Sequence, residues 1–303
     1  MSDRPNQLTR YSTIAKALNV APTSKVFFVL NGSQSWFGNF ENEFSPDYDG
    51  VPRVYSSVKT ALANCVASRG DVILIMPNHT EDITSATDLN INVAGVRVVG
   101  LGSGNNRPTF TLKTATSAIL TFSAANTSLE NCIVDGTGID AIASMFSVTA
   151  AGVSVLGNKF VTASATAQAT LGFLTTAAAN DLKILDNEFY GTSDAGTTSV
   201  VRLVGGTNIH IERNSFIGGY SSGVGAIENI TTDCVNLVVK DNLINNLTAL
   251  STKAMTFTAG STGQISGNKM QILSGTAPIT GAAMSWVGGN YYAAAVATAG
   301  TLI

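Results

Sequence analysis

Cleavage of a glycosidic bond asks for two or three carboxylates at defined separations, one giving a proton and another taking one or attacking. In this chain the carboxylates that fall into a pattern are few. Asp186 and Asp241 each stand directly before an asparagine, Asn187 and Asn242, and Arg213 stands before Asn214 between them. Glu188 follows Asn187 directly. If these phrases lie on successive strand layers, Asp186 and Asp241 are ~10 Å apart with Arg213 between them. Asp186, Asp241 and Glu188 are thus the candidate acids. An acid–base–acid column also reads as an ion-pair ladder at a corner, and exposed ladders contribute little stability. The ladder is the simpler reading.

Other reactive side chains are scattered. His79 follows Pro77-Asn78, where a turn is expected, and His210 falls on an outward strand position. Asp47, Asp49 and Asp71 suit turns and helix ends. Tyr190 and Tyr220, each shortly after an asparagine phrase, are the aromatic residues best placed to stack on a sugar. Cys65, Cys132 and Cys234 fit neither a disulfide framework nor a zinc site. No Ser-His-Asp order or phosphate loop is present. This reading assigns no catalytic residue, no metal and no cofactor, and expects that the chain is not an enzyme.

The asparagines themselves recur. They stand at Asn131, Asn158, Asn187, Asn214, Asn242 and Asn268, at steps of 27, 29, 27, 28 and 26 residues. A period of this size means a solenoid whose repeats bury their apolar faces on one another. Val153 and Val155, Leu182 and Ile184, Ile209 and Ile211, and Leu237 and Val239 alternate ahead of four of them, which reads as strand. Two residues after each asparagine comes Ile133, Phe160, Phe189, Phe216, Ile244 or Met270, expected to stack as one internal column. The asparagines are expected to form a hydrogen-bonded corner ladder, since Asn tolerates the left-handed conformation of a tight turn. Further strands are expected over 118–122, 145–148, 200–204, 225–230 and 254–258. The fold class is all-β: a single-stranded right-handed parallel β-helix of about eight coils, ~27 residues each.

Before the coils, Val54, Val58, Leu62, Cys65 and Val66 share one helical face, and Arg69-Gly70 supplies the stop. An amphipathic helix here would cover the exposed first strands of a solenoid. The division is an arm over 1–50, a capping helix over 51–70 and the β-helix over 71–303. Gly70-Asp71-Val72-Ile73-Leu74-Ile75-Met76-Pro77 followed by Gly95-Val96-Arg97-Val98-Val99-Gly100-Leu101-Gly102 resembles the opening of pectin-lyase-like right-handed β-helix proteins. Asp49-Gly50-Val51-Pro52-Arg53-Val54-Tyr55 and Pro77-Asn78-His79-Thr80-Glu81 resemble β-helix virion proteins of tailed bacteriophages, which include capsid decoration proteins and tailspikes.

Composition narrows the choice. Only 12% of residues are charged, against about 25% in ordinary domains. Such a surface suits burial against copies of itself or a scaffold. A net charge of −3 makes no case for nucleic acid or an anionic membrane. No apolar leader opens the chain, and no segment reaches the length of a membrane span. The arm concentrates aromatics at Phe27, Phe28, Trp36, Phe37, Phe40 and Phe44, which either pack on the end of the rod or grip a partner, two compatible readings. The apolar, Ala-rich stretch after Met284 is expected to close the last coil or join a subunit contact. With the resemblance, these features imply a homotrimeric decoration (cement) protein on the capsid exterior of a phage virion. It would be assembled in the host cytoplasm and bound to the major capsid protein through the arm. The alternative is a tailspike or polysaccharide depolymerase.

Overall fold

The computed structural model describes residues 23–32, 38–39, 50–113, 117–138, 142–162, 169–193, 197–221, 223–248, 251–273, 277–281, 283–286, 288–293 and 301–302. Trp36, Phe37, Phe40, Phe44, Asp47 and Asp49 lie outside them. The chain winds as a right-handed parallel β-helix of about eight turns. Three long sheets form its walls among the described residues, with 11, 10 and 8 strands. We name them A, B and C in the order a coil visits them. One coil runs Ser154–Leu156 in A, Lys159–Val161 in B and Leu171–Thr175 in C. This sheet C strand has no counterpart among the sequence-based expectations. Five sheet C strands match the expected windows, Ser199–Leu203 starting one residue early and the others shorter: Leu120–Phe122, Phe146–Val148, Ile227–Asn229 and Met255–Thr256; Asn90–Ile91 and Ile279–Thr280 complete the sheet.

Each wall sends one column of side chains inward. Sheet A contributes Val155, Ile184, Ile211, Val239 and Ile265 in register. Sheet B contributes Phe110, Val134, Phe160, Phe189, Phe216, Ile244 and Met270. All are buried. The phenylalanines of B lean on those of C more closely than on one another. Phe160 stands edge-on to Phe146 and Phe173 at 5.2 and 5.4 Å between centroids, whereas Phe160 and Phe189 are 6.4 Å apart. Aromatic pairs favour such edge-to-face geometry.

The corner between A and B has two residues, and the expected ladder is there, with two corrections. In the first repeat the ladder position belongs to Cys132 and not Asn131: Ile133 pairs with Lys159 and Glu130 with Leu156. Val134 therefore takes the inward place expected of Ile133. The left-handed residue is the one before each ladder asparagine, with φ of 56° at Asn131, 63° at Gly157, 58° at Asp186, 55° at Arg213, 54° at Asp241 and 67° at Gly267. The asparagines that follow turn inward. Each donates its backbone N–H to the Oδ1 of the next coil's asparagine, at 2.9 Å for Asn158 and Asn187 and 3.0 Å for Asn214, Asn242 and Asn268. Their Nδ2 groups donate to sheet A carbonyls of the preceding coil, such as Val155 and Ile184. Asn290 extends the ladder one coil past the repeats seen in the sequence.

At the start of the rod, Val26–Val29 lies in sheet A between Val54–Tyr55 and Val72–Ile75. Phe27 and Phe28, expected as partner contacts, are buried, Phe27 in the main core and Phe28 in a smaller cluster with Val26, Leu30, Val54, Val72 and Leu74. A parallel neighbour on each side gives this strand no free edge. The helix is short, Val58–Leu62, and buries Val58, Ala61 and Leu62 against the first coil. Val54 pairs as strand and Val66 is exposed, so neither belongs to a helical face. Asp71 ties this end together. Its fully buried carboxylate accepts from the Lys25 and Val66 N–H groups and from both Nε and Nη2 of Arg69.

Candidate functional site

Two neighbouring strips of surface carry the acids nominated from the sequence: the outer edge of the A–B corner and the outer face of sheet B beside it. At the corner, Arg213 grips Asp186 of the preceding coil with Nε at 2.7 Å and Nη2 at 3.0 Å. Its Nη1 reaches Glu212 at 3.1 Å, and Glu212 holds His210 Nδ1 at 2.7 Å. The hydrogen bonds that Arg213 donates to Asp186 hold its pKa above the ordinary value. Asp241 does not join this chain; it pairs with Lys240 at 3.6 Å. The acid–base–acid column expected from spacing is thus one bidentate pair and a separate neighbour pair. Both sequence-nominated aspartates are occupied by cations on an exposed edge, where an ion pair contributes about 0–1 kcal/mol.

Glu188 differs. It lies one step past the corner on the outer face of sheet B, exposed, and makes no ion pair among the described residues. Its register neighbours on that face are Lys159 and Ser215. Two residues on, Tyr190 occupies the same face, and the Lys159 Nζ lies 5.6 Å from the centroid of its ring, within cation–π range. Carboxylate, amine and aromatic ring therefore gather on two adjacent strands. Further along the same face the rows continue as Leu243, Lys269 and Tyr291, and as Ile217, Asn245 and Gln271. These residues, with Met270, Tyr292 and Ala293, line a groove of about 390 Å³.

Tyr220, the second aromatic expected to meet a sugar, is instead fully buried, 6.3 Å from Phe189, with its hydroxyl unpaired. Burial raises its pKa well above the ordinary value. The asparagine phrase ahead of it predicted a surface position, but the backbone after Gly218 carries the ring inward. His79 follows the expected turn and is buried there, its Nε2 3.2 Å from Glu81. His210 keeps its outward place. The sequence reading passed over Glu228, a buried carboxylate bonded to Arg202 Nε and Ser199 Oγ, each at 2.6 Å. It also passed over the last-coil tyrosines, which follow no asparagine phrase of the kind used to find Tyr190.

Burial pushes all three thiols up, Cys65 to about 12 and Cys234 to about 11, with Cys132 above that range. Among the described residues no three His, Cys, Asp or Glu side chains are grouped to hold a metal. No described helix is long and apolar enough to cross a membrane.

No protein-family model matches the chain, and no curated protein matches it. Among solved structures it is similar to the PL6-family alginate lyase AlyGC, with a TM-score of 0.49 and 14% identity. The likeness covers 89% of this chain and 36% of the lyase, so the chain spans about a third of that protein's length. It bears on the fold alone and assigns no reaction. It stands against one expectation, that the chain is not an enzyme, since the matched structure is that of an enzyme.

Proposed function

We propose that this rod acts on polysaccharide, as a depolymerase of the tailspike kind, and that it does so on the outer face of sheet B. The observation that carries the reading is Glu188: an exposed carboxylate without an ion pair, beside a tyrosine held by a lysine. Hydrolysis breaks the bond between the anomeric carbon and the bridging oxygen, with water adding hydroxyl to the carbon and a proton to the oxygen. Glu188 is the group assigned to move this proton, because it is exposed and makes no ion pair among the described residues. Tyr190 offers a flat apolar surface to the C–H face of a sugar, and the Lys159 ammonium at its ring restrains it. Asp186, across the Asn187 corner and oriented by Arg213, supplies a second, fixed negative charge.

The shell-binding alternative has less behind it. Of the aromatics on which it rested, Phe27 and Phe28 are interior and the others fall outside the described residues. A virion location and a homotrimer remain part of the proposal, supported by the low charge of the surface, with glycan in place of shell protein as the partner.

The test is release of reducing ends from a panel of bacterial capsular and O-antigen polysaccharides, comparing the wild-type chain with Glu188→Gln. Release by the wild type and a kcat lowered ~100-fold or more in the variant is the expected result. No release from any of the panel, or full activity in the variant, would overturn the reading.

A further inference from the structure

Resting on the reading of sheet B as a glycan-facing surface, we propose that the groove over its last coils is a further binding subsite for one pyranose ring, centred on Tyr291 and Asn245 and leading away from Glu188 along the rod. In register, Glu188 is followed by Ser215, Leu243, Lys269 and Tyr291. Four strand spacings of ~4.8 Å put Tyr291 roughly 19 Å from Glu188 along the rod. The groove begins at Ile217, the register neighbour of Tyr190, and its Tyr291 end is too far from Glu188 to touch the bond there and well placed to hold a more distant part of the same polymer.

Three features identify the ligand. The first is size: about 390 Å³ lies in the lower part of the range for small-ligand sites, roughly 300–1,000 Å³. The second is the floor and wall. Tyr291 and Leu243 are 49% and 44% exposed, among the few large apolar side chains left to solvent on this rod. They offer an apolar surface to a ring that has one apolar face. The third is Asn245. Asn245 lines the groove, and its Oδ1 is buried and accepts no hydrogen bond among the described residues. A desolvated acceptor without a donor is unfavourable, and a ligand that brings an O–H or N–H relieves it.

Together these features select a ligand with an apolar face and hydroxyl donors at its edge, which describes a pyranose. An aliphatic or aromatic side chain from a protein would cover Tyr291 but leave the Asn245 oxygen unpaired. A phosphate or sulfate brings acceptors to an acceptor. Gln271 and Lys269, on the next strand of the same face, extend the polar rim and can bond further hydroxyls. Because the unpaired group is neutral, a sugar without charge satisfies it, so neutral oligosaccharides are the direct probe.

The experiment titrates the full chain with maltohexaose, cellohexaose and chitohexaose, read by saturation-transfer difference NMR and calorimetry. The expected result is saturation transfer to ring protons of at least one of them, with affinity falling ~10-fold or more in Tyr291→Ala and in Asn245→Leu. Tyr291→Phe keeps the ring and should keep binding; a variant that loses its thermal transition is discounted in favour of this one. No transfer from any of the three sugars overturns the proposal. So does self-association of the wild type that Tyr291→Ala abolishes, since the groove would then seat a second copy. Binding that depends on Tyr291 without any polysaccharide cleavage sustains the subsite and sinks the role of Glu188. Cleavage that Tyr291→Ala leaves intact, with no oligosaccharide bound, does the reverse.

Discussion

The inner and outer faces of sheet B come from the same strands and obey different rules. Inward, one residue type nearly repeats: Phe160, Phe189 and Phe216 on successive coils, all buried. Outward, the neighbouring row reads Lys159, Glu188, Ser215, Leu243, Lys269 and Tyr291, with no residue type on two successive coils. The interior is constrained by packing at nearly crystalline density, so each coil must present the coil beside it with a matching surface. The exterior meets water and is free to vary. In a solenoid the repeat holds the stability, and the positions that break it are where chemistry can be placed.

This contrast can be broken most forcefully from inside. Phe189→Ala should destabilise the rod by ~3–5 kcal/mol in denaturant unfolding, because the side chain is fully buried between Phe160 and Tyr220. A loss under ~1 kcal/mol, the size of a surface change, would mean that the column does not bear on the core. Next comes the ladder. Asn214→Ala removes the Oδ1 that accepts from Asn187 and the Nδ2 that reaches Ile184, leaving buried groups of both neighbours unpaired. About 2–3 kcal/mol is expected by the same measurement. Asn131→Ala lacks that network and should cost distinctly less, a difference that tests the one-residue shift in the first repeat.

On the outer edge the effect should be small. Arg213→Ala breaks the bidentate contact with Asp186, yet both partners are about half exposed, at 48% and 54%. The expected loss is under ~1 kcal/mol and should shrink as salt is added. Since Arg213 also sits at φ 55°, Arg213→Gly should recover part of even that loss, because glycine adopts this region freely.

The smallest effect concerns acid. Hydrogen bonds from Thr84, with help from Ser85 and Lys59, hold Asp88 at about 2 against an ordinary 3.8. A depressed carboxylate contributes stability above its unfolded pKa and loses it as pH falls through the folded value. Unfolding followed between pH 4 and pH 2 should therefore steepen with acid in the wild type and be flatter in Asp88→Asn.

Much of the interior was legible in sequence because solenoid packing is local in register. Alternation at Val153, Val155, Leu182 and Ile184 and the regular asparagine spacing state strand and corner directly. The exterior was not. Asp186, Arg213 and Asp241 were aligned by spacing alone, which cannot tell that the Asp241 carboxylate turns to Lys240 and leaves Arg213 to Asp186. Tyr190 and Tyr220 follow their asparagines by three and six residues, and the path of the chain after Gly218 sent the second ring in while the first stayed out. The tyrosines of the last coil passed unnoticed because their coil, from Asn268 to Asn290, is shorter than the rest and breaks the period.

By itself the sequence determined the architecture: the period, the inward columns and the amide ladder all follow from residue type and spacing, since strand geometry alternates side chains and parallel stacking repeats them. Tertiary structure alone decided which repeat is shifted by one residue, that Val26–Val29 joins sheet A, and which outer side chains meet. Those outcomes depend on side-chain torsions and on contacts between coils some 27 residues apart, whose energies are small beside the burial that sets the fold.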